Sequence, residues 1–283
     1  MIKFALIFYC FVIGFEQGAS KKQRIMNGTE ATRGQFPFMI SIQLPYERRN
    51  ICGGALISAG WVMTAAHCTR HLYMHIVLIA GLLDSIDFDE GYQVRRVKSA
   101  HFPGEYPAPG NEHDISLVQP TELFSETQFI KFLPYQRCNI SLGDHVTIMG
   151  WGIFNQYGEA PKILQWASAE VNEVEICGGD ENEVLTSVFT CIRGNKKLSM
   201  ARQGDSGSPG IYNGKIFGVV SMGIPTDSYG TYYTKTSTYH DWILRTIGKG
   251  SVRTLRKASR GCSLFDYSIW FYVCLAALLR VLY

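Results

Sequence analysis

Charged residues are scarce in this 283-residue chain, at 18% of the sequence against 46% hydrophobic and 13% aromatic residues. This low charged fraction and high hydrophobic fraction exclude a disordered protein, because disordered chains are polar and highly charged. The 28 glycines and 10 prolines follow no collagen-like period. The sequence therefore predicts a folded protein with a sizeable hydrophobic core.

The middle of the chain also lacks an excess of basic residues, although the whole chain has a formal net charge of +3. Basic residues concentrate at the two ends, and one run without any acidic residue holds Lys249, Arg253, Arg256, Lys257 and Arg260. Residues 25–248 are consequently net negative. We therefore expect no nucleic-acid partner, because nucleic-acid-binding domains carry a basic surface.

The 7 histidines show no metal-ligand spacing with a third ligand. The sequence therefore predicts neither a metal site nor a cofactor.

Residues 1–20 have the pattern of a secretory signal peptide. Lys3 precedes an apolar run from Phe4 to Phe15, and small residues end the segment. The run is shorter than the ~20 residues that a membrane span needs. Secretion places the chain in an oxidising compartment, so most of its 8 cysteines are expected to form disulfides.

The C-terminal end consists of a basic spacer, residues 249–263, and a hydrophobic tail, residues 264–283. A lipid-anchor signal fits Gly250-Ser251 or Ala258-Ser259 followed by the apolar tail. A membrane span is the second interpretation, but the basic residues lie on its N-terminal flank, against the positive-inside tendency. A removed or packed tail is the third. We expect a secreted protein, with tethering to the outer cell surface left open.

Between residues 25 and 248, short apolar or alternating runs are separated by Gly, Pro, Asn and Asp. This pattern is typical of an antiparallel sandwich or barrel. The runs are Phe38–Leu44, Ala55–Ser58, Trp61–Thr64, Ile76–Ala80, Val146–Trp151, Ile216–Ser221 and Tyr232–Thr234. The segment His240–Ile247 is predicted to be a helix. No linker or repeat interrupts the stretch, which predicts one folded domain over 25–248.

Three short motifs carry residues suited to nucleophilic catalysis: His67 in Thr64–Cys68, Asp114 in His113–Leu117 and Ser206 in Gly204–Pro209. A serine hydroxyl is a poor nucleophile unless an imidazole accepts its proton. The imidazole in turn needs a carboxylate on its other nitrogen. Glycines around the serine would let the N–H groups of Gly204 and Ser206 converge on an oxyanion.

Together with Cys52–Ile57, Gly150-Trp151-Gly152 and Ser221 ahead of Gly223, these motifs resemble the trypsin/chymotrypsin family of serine proteases. The resemblance covers about residues 24–248. It implies an all-β fold of two six-stranded antiparallel barrels with a short C-terminal helix. It also implies a catalytic triad between the barrels, an oxyanion hole at Gly204 and Ser206, and a polypeptide substrate.

The same resemblance gives residues 21–24 the role of an activation propeptide. The segment from Ile25 to Gly28 is similar to the family's new amino terminus. An activating protease that cuts after Arg24 would create an ammonium on Ile25. This ammonium would pair with Asp205 and order the Gly204 loop.

The resemblance further implies the disulfides Cys52–Cys68 and Cys177–Cys191. Two other disulfides common in the family are absent, because Arg202, Tyr212 and Val146 stand at cysteine positions. Cys138 lacks its usual partner, since Ser237 stands there, and Cys262 is the candidate replacement. If lipid anchoring removes the chain before Cys262, Cys138 should be a free thiol.

For substrate specificity, the family alignment puts Met200 at the base of the primary pocket, with Ala201 and Ser221 beside it. Gly223 and Gly230 match the glycines of the pocket wall. None of these pocket residues carries a carboxylate, which would be needed to offset the lost hydration of a substrate Lys or Arg side chain. We therefore expect a preference for apolar or aromatic residues.

Two sequons, at Asn27 and Asn139, predict N-glycosylation. Protein inhibitors are further expected partners.

The alternative function is that of a non-catalytic relative used for binding or surface attachment. Three features favour that alternative: the missing disulfides, Met222 in place of the usual Trp, and the hydrophobic tail. The complete triad opposes it. The leading expectation is a secreted, zymogen-activated serine endopeptidase.

Overall fold

The computed structural model describes residues 28–47, 49–88, 90–104, 113–153, 159–178, 183–194, 201–223 and 230–248. Several sequence predictions lie outside these residues. They are the signal peptide, the activation site with Arg24 and Ile25, the sequon at Asn27, Met200, the basic spacer and the hydrophobic tail with Cys262.

Most of the described chain forms β-strands. The strands are β1 Thr29–Glu30, β2 Met39–Leu44, β3 Arg49–Ser58, β4 Trp61–Thr64, β5 Val77–Ala80, β6 Gln93–His101, β7 Ser116–Pro120, β8 His145–Gly150, β9 Gln165–Asn172, β10 Phe189–Gly194, β11 Pro209–Tyr212, β12 Lys215–Gly223 and β13 Gly230–Lys235. The helices are α1 Glu183–Val188 and α2 His240–Ile247, with a 3₁₀ turn at Val174–Cys177.

Strands β2 to β7 form the first barrel, in the order β2-β3-β4-β7-β6-β5 with antiparallel neighbours. Pairing of β2 with β5 closes it, with Ile40 opposite Ala80. Apolar side chains at alternate strand positions point inward. Ile40, Leu56 and Val118 are among those completely buried in its core.

Strands β8 to β13 form the second barrel, in the order β8-β9-β10-β13-β12-β11, and pairing of β11 with β8 closes it. Strand β1 pairs with the first two residues of β9. Val171, Ile192 and Phe217 lie in the core of this barrel. The predicted fold of two six-stranded antiparallel barrels with a short C-terminal helix is therefore confirmed.

A third buried cluster joins the two barrels. It contains Met39 and Met63 of the first barrel and Met149 and Val219 of the second. At this junction Gly53 N donates a hydrogen bond to Ser206 O over 2.8 Å, and a Cβ atom on Gly53 would collide with Ser208. The glycine in β3 thus lets the loop that carries Ser206 lie against the first barrel.

Helix α2 follows the last strand and buries Ile243 and Ile247 in the cluster between the barrels. It ends at Ile247, and the N–H of the following Gly248 donates to Leu244 O over 3.2 Å. Neither helix in the described part of the chain is long and apolar enough to span a membrane.

The structure forms both disulfides that the family resemblance implied. Cys52 pairs with Cys68 at a Cα–Cα distance of 6.2 Å, and Cys177 pairs with Cys191 at 5.8 Å. Cys138 is also disulfide-bonded.

Candidate active site

Asp114 is the most deeply buried of the three predicted triad residues, with 2% of its side chain exposed. It lies just before β7, and the preceding His113 adopts a φ of +66°. The N–H of His113 donates to Tyr239 Oη over 3.0 Å, which stabilises this uncommon backbone. The carboxylate is thereby directed into the junction between the barrels.

His67 follows β4 and contacts Asp114 through its backbone N–H and its ring Nδ1. Its backbone N–H donates to Asp114 Oδ1 over 3.0 Å, and its ring Nδ1 lies 2.9 Å from Oδ2. A carboxylate accepts hydrogen bonds, so Nδ1 carries the proton and Nε2 is left as an acceptor. The side chain is 33% exposed, so this second nitrogen is accessible to a bound substrate.

Ser206 lies in the loop before β11 and is half-buried. The next residue, Gly207, has a φ of +75°, and a Cβ atom there would collide with Thr64 and Ala65 just ahead of His67. The loop therefore reaches the segment that carries His67. Among the described residues, no hydrogen bond joins Ser206 Oγ to His67. Such catalytic hydrogen bonds often form only in the substrate complex.

From Gly204 to Ser208 the backbone leaves two N–H groups unused. Asp205, Gly207 and Ser208 donate to Arg202 O, Val220 O and Asp205 O over 2.8–2.9 Å. By contrast, the N–H groups of Gly204 and Ser206 donate to no acceptor in the described part of the chain. These two are the predicted oxyanion donors.

Asp205 is buried beneath this loop, with 3% of the residue exposed. Its Oδ1 accepts from Gly152 N over 2.7 Å and its Oδ2 from Arg202 N over 2.9 Å. Burial raises the pKa of Asp205 to about 7, although both N–H groups and the Arg202 charge act to lower it. Cβ atoms on Gly150 and Gly152 would collide with this carboxylate, which explains both glycines of Gly150-Trp151-Gly152.

Cys52, His67 and Cys68 place potential metal ligands within 4.8 Å of one another. Both sulfur atoms belong to the disulfide, however, and His67 Nδ1 contacts Asp114. A cysteine binds a metal ion as its thiolate, so this group is not a metal site while the disulfide is intact.

The family model named Trypsin matches residues 25–243. The chain belongs to the trypsin family. This assignment agrees with the order of the His67, Asp114 and Ser206 motifs and with the two closed barrels.

Three known proteins are similar to this chain over most of its length. Transmembrane protease serine 11B of Homo sapiens is 30% identical over 241 residues, which are 80% of this chain and 56% of that relative. Granzyme M of Rattus norvegicus is 29% identical over 82% of this chain and 92% of the relative. The solved structure of human heparin binding protein has a TM-score of 0.67 at 26% identity, covering 76% of this chain and 93% of that one.

The predicted specificity pocket of this trypsin-family chain is described only in part. Ala201 is buried, and its N–H donates to Thr231 Oγ1 over 3.0 Å. Gly230 lies against the disulfide, because a Cβ atom there would collide with Cys177 Sγ. Gly223 ends β12. Met200 and residues 224–229 lie outside the described chain, so the apolar preference stays a prediction.

Ser221 has a role that the sequence analysis missed. We expected it in the pocket, but its hydroxyl donates to Asp114 Oδ2 over 2.5 Å. Thr234 Oγ1 donates to the backbone carbonyl of Asp114 over 2.9 Å. The sequence held one signal for these contacts, the presence of hydroxyl residues in strands that are otherwise apolar. A buried hydroxyl group needs a hydrogen-bond partner.

The sequon at Asn139 lies on the surface of the trypsin-family domain. Asn139 is exposed, and its Oδ1 accepts from Ser237 Oγ over 2.6 Å. Ser237 is the residue that replaces the usual cysteine partner of Cys138.

Proposed function

We propose that this chain is a serine endopeptidase that hydrolyses peptide bonds through an acyl-enzyme on Ser206. The observation that carries the proposal is the buried Asp114 carboxylate, 2.9 Å from His67 Nδ1 and beside the Ser206 loop. An imidazole held in this way has the correct nitrogen available to accept the serine proton. The membership of the trypsin family supports the same chemistry.

In the proposed reaction, Ser206 Oγ attacks the substrate carbonyl carbon while His67 Nε2 takes the hydroxyl proton. The oxyanion that forms accepts hydrogen bonds from the N–H groups of Gly204 and Ser206. His67 then gives its proton to the leaving amine as the C–N bond breaks. A water molecule attacks the acyl-enzyme by the same steps, which releases the carboxylic acid and restores Ser206.

Covalent labelling tests this proposal. The full chain is cleaved after Arg24, with the new terminus at Ile25 checked by sequencing, and is then exposed to a fluorophosphonate. We expect labelling of Ser206 in the wild type and none in Ser206→Ala. A wild-type chain with a free Ile25 terminus that is not labelled would reject the peptidase.

We further propose that the chain is made as a zymogen, activated by a protease that cuts after Arg24. Asp205 is a buried carboxyl whose pKa is raised to about 7 by burial, so it favours an added cationic partner. The Ile25 ammonium created by cleavage would be that partner. Comparing fluorophosphonate labelling before and after cleavage tests this step, and equal labelling rates would overturn it.

The proposed substrate preference is for peptide bonds after large apolar or aromatic residues. It rests on Met200 at the expected base of the pocket, where no carboxylate would compensate a buried cation. A peptide library digested by the Arg24-cleaved chain should give new C-termini at Phe, Tyr and Leu. Cleavage mainly after Arg or Lys would show that this pocket alignment is wrong.

We propose that the chain is secreted through residues 1–20 and attached to the outer cell surface by a lipid added near Gly250 or Ala258. A relative named as a transmembrane protease supports surface attachment in general. Phosphatidylinositol-specific phospholipase C should release the protein from expressing cells. Retention on the cells would favour a membrane span, and spontaneous appearance in the medium would favour a removed tail.

A binding role without catalysis is the second candidate. The similarity to the structure of human heparin binding protein favours it, as does the exposed side of β6, where Arg96 and Lys98 alternate with half-buried residues. Retention on immobilised heparin by a chain that no fluorophosphonate labels would support this candidate. Labelling of Ser206 would reject it.

A further inference from the structure

A side chain from the first barrel holds the backbone next to the predicted oxyanion hole. Asn50 in β3 donates from Nδ2 to Gly204 O over 2.9 Å. Gly204 has a φ of +97°, and without a Cβ atom sterics do little to hold that conformation. The conformation of Gly204 therefore depends on the hydrogen bonds of its two peptide groups.

Both peptide groups around Gly204 are bonded through their carbonyls. Ile153 N donates to Gln203 O over 2.8 Å on one side, and Asn50 donates to Gly204 O on the other. The peptide bond is planar and trans, so the N–H of Gly204 points opposite to the carbonyl of Gln203. Together the two bonds fix the direction of the Gly204 N–H.

Packing alone does not fix this direction. A cavity of about 270 Å³ lies beside Gly204, lined in part by Asn50, Trp151 and Ile153. Without the bond from Asn50, the remaining hydrogen bond of the peptide group that carries the Gly204 carbonyl would be the one from Asp205 N to Arg202 O, over 2.8 Å.

Asn50 is itself held by a chain of buried polar side chains. Ser41 Oγ donates to Asn50 Oδ1 over 2.7 Å, and Gln43 Nε2 donates to Ser41 Oγ over 3.0 Å and to Ser85 O over 2.9 Å. Ser41 and Gln43 are completely buried. Since the single hydroxyl proton of Ser41 goes to Asn50, the Asn50 oxygen faces Ser41 and its NH₂ group faces Gly204.

We propose that Asn50 is a positioning residue for the oxyanion hole, which keeps the Gly204 N–H directed at the developing oxyanion by holding the Gly204 carbonyl. This inference rests on the proposed peptidase function. Asn50 acts through Gly204, so its loss should affect the transition state more than substrate binding.

The test compares Asn50→Asp with the wild type, each as the full chain cleaved after Arg24. The new carboxylate keeps the size of the side chain and the acceptor for Ser41, but it presents an oxygen to Gly204 O. Loss of one oxyanion donor lowers kcat by about 10²–10³-fold, so misdirecting it should lower kcat by roughly 10–100-fold. The change in KM should stay below about threefold, since substrate binding is not altered.

A pair of inhibitors separates this role from general damage to the fold. A peptidyl trifluoromethyl ketone takes up Ser206 Oγ at its carbonyl and forms an oxyanion, whereas the corresponding alcohol cannot. We expect Asn50→Asp to weaken the ketone by roughly 10–100-fold and to leave the alcohol unchanged. Equal weakening of both inhibitors, or a kcat equal to that of the wild type, would overturn the proposal.

Asn172→Asp is the matched control. Asn172 Nδ2 also donates to a backbone carbonyl, that of Glu170, over 2.9 Å, but in β9 and outside the candidate site. It should keep the wild-type kcat and both inhibitor affinities. A kcat loss equal to that of Asn50→Asp would show a general effect of the added charge and overturn the proposal.

A failure of the peptidase proposal is seen separately, as a cleaved wild type that neither hydrolyses peptides nor reacts with a fluorophosphonate. The role of Asn50 is then tested by NMR with ¹³C-carbonyl glutamine and ¹⁵N-glycine. After cleavage at Arg24, Gln203-Gly204 is the sole Gln-Gly pair in the sequence. Its amide signal should shift in Asn50→Asp and not in Asn172→Asp. An unmoved signal in Asn50→Asp would overturn the inference.

Discussion

At the scale of single residues, the carboxyl group of Asp205 has the most unusual environment in the candidate site. It is surrounded by the backbone of the Gly204 loop and by Gly150 and Gly152, which leave room for nothing larger than hydrogen on their α-carbons. Two N–H groups bond it, yet burial still raises its pKa to about 7. In the uncleaved chain this group should therefore bind a proton at pH values where the unfolded chain has lost it.

This gives a pH-dependent stability of the uncleaved chain. The folded pKa of about 7 lies above the unfolded value of ~3.9, so Asp205 stabilises the fold at low pH and loses that contribution as the pH rises from about 4 through 7. The loss is on the order of 4 kcal/mol relative to Asp205→Asn, which does not titrate. Urea unfolding of both uncleaved proteins from pH 4 to 8 measures it. A stability difference that does not change with pH would contradict it.

After cleavage the comparison should reverse near pH 7, because the Ile25 ammonium would pair with the ionised Asp205. The cleaved wild type should then be more stable than cleaved Asp205→Asn. If cleavage changes neither protein's unfolding midpoint, Ile25 does not reach Asp205.

Ser221 supplies a second residue-scale prediction. Replacing it by alanine removes the hydroxyl that bonds Asp114 Oδ2 over 2.5 Å. Hydrogen bonds to charged groups are worth about 1.5–3 kcal/mol, so we expect Ser221→Ala to lower kcat roughly tenfold or more. Steady-state kinetics with a peptide substrate measures this. Ser237→Ala, which removes an exposed hydroxyl bonded to Asn139, is the control and should keep the wild-type kcat.

Residues whose chemistry depends on their type and their order in the chain could be predicted from the sequence, whereas residues that act through tertiary contacts could not. His67 and Asp114 stand in short motifs, and Asp205 and Ser206 share a third motif that has neighbouring glycines. Asn50 has no such motif, and its contact with Gly204 joins residues 154 positions apart. Such a contact follows from the closing of two barrels against each other, which a local pattern does not contain.

At the scale of elements, the loops between strands hold the site and the strands fix where those loops meet. The pairing of β4 with β7 sets Thr64 opposite Ser116, which brings the segments of His67 and Asp114 together. The apolar runs predicted strands at β2, β3, β4, β5, β8, β12 and β13 but missed β1, β6, β7, β9, β10 and β11. In β6, Arg96 and Lys98 occupy outward positions, so charge conceals the strand pattern.

Gly152→Ala tests how the loops fit together at this scale. The added methyl group would collide with the Asp205 carboxylate, so Asp205 or the Gly152 loop must move. Overpacking of this kind costs about 1–3 kcal/mol, and displacement of Asp205 should slow fluorophosphonate labelling as well. Gly60→Ala is the control, because its nearest neighbour is the flexible end of Leu123. Equal stability and labelling in both variants would contradict the tight fit at Gly152.

At the scale of the whole molecule, the extra cysteine connects the barrels to another part of the chain. Cys138 is disulfide-bonded, while the other four described cysteines pair with one another. Cys262 stays the predicted partner, and it follows the basic spacer. Such a bond would hold the C-terminal segment to the second barrel.

Peptide mapping without reduction tests the connection. In the chain that still carries its C-terminal tail, we expect the peptide with Cys138 to be linked to the peptide with Cys262, and the two peptides to separate after reduction. A crosslink to any other cysteine in that form, or a free thiol at Cys138, would contradict the pairing. In the lipid-anchored form, which lacks Cys262, Cys138 should be a free thiol.

The acyl-enzyme is the most direct test of the central claim that Ser206 is the nucleophile of a competent peptidase. The Arg24-cleaved chain is mixed with a peptide ester of phenylalanine, quenched in acid and analysed by intact-mass spectrometry and peptide mapping. We predict a transient mass increase equal to one acyl group, located on Ser206, and its absence from Ser206→Ala. No mass increase, or an acyl group on another residue, would contradict the account.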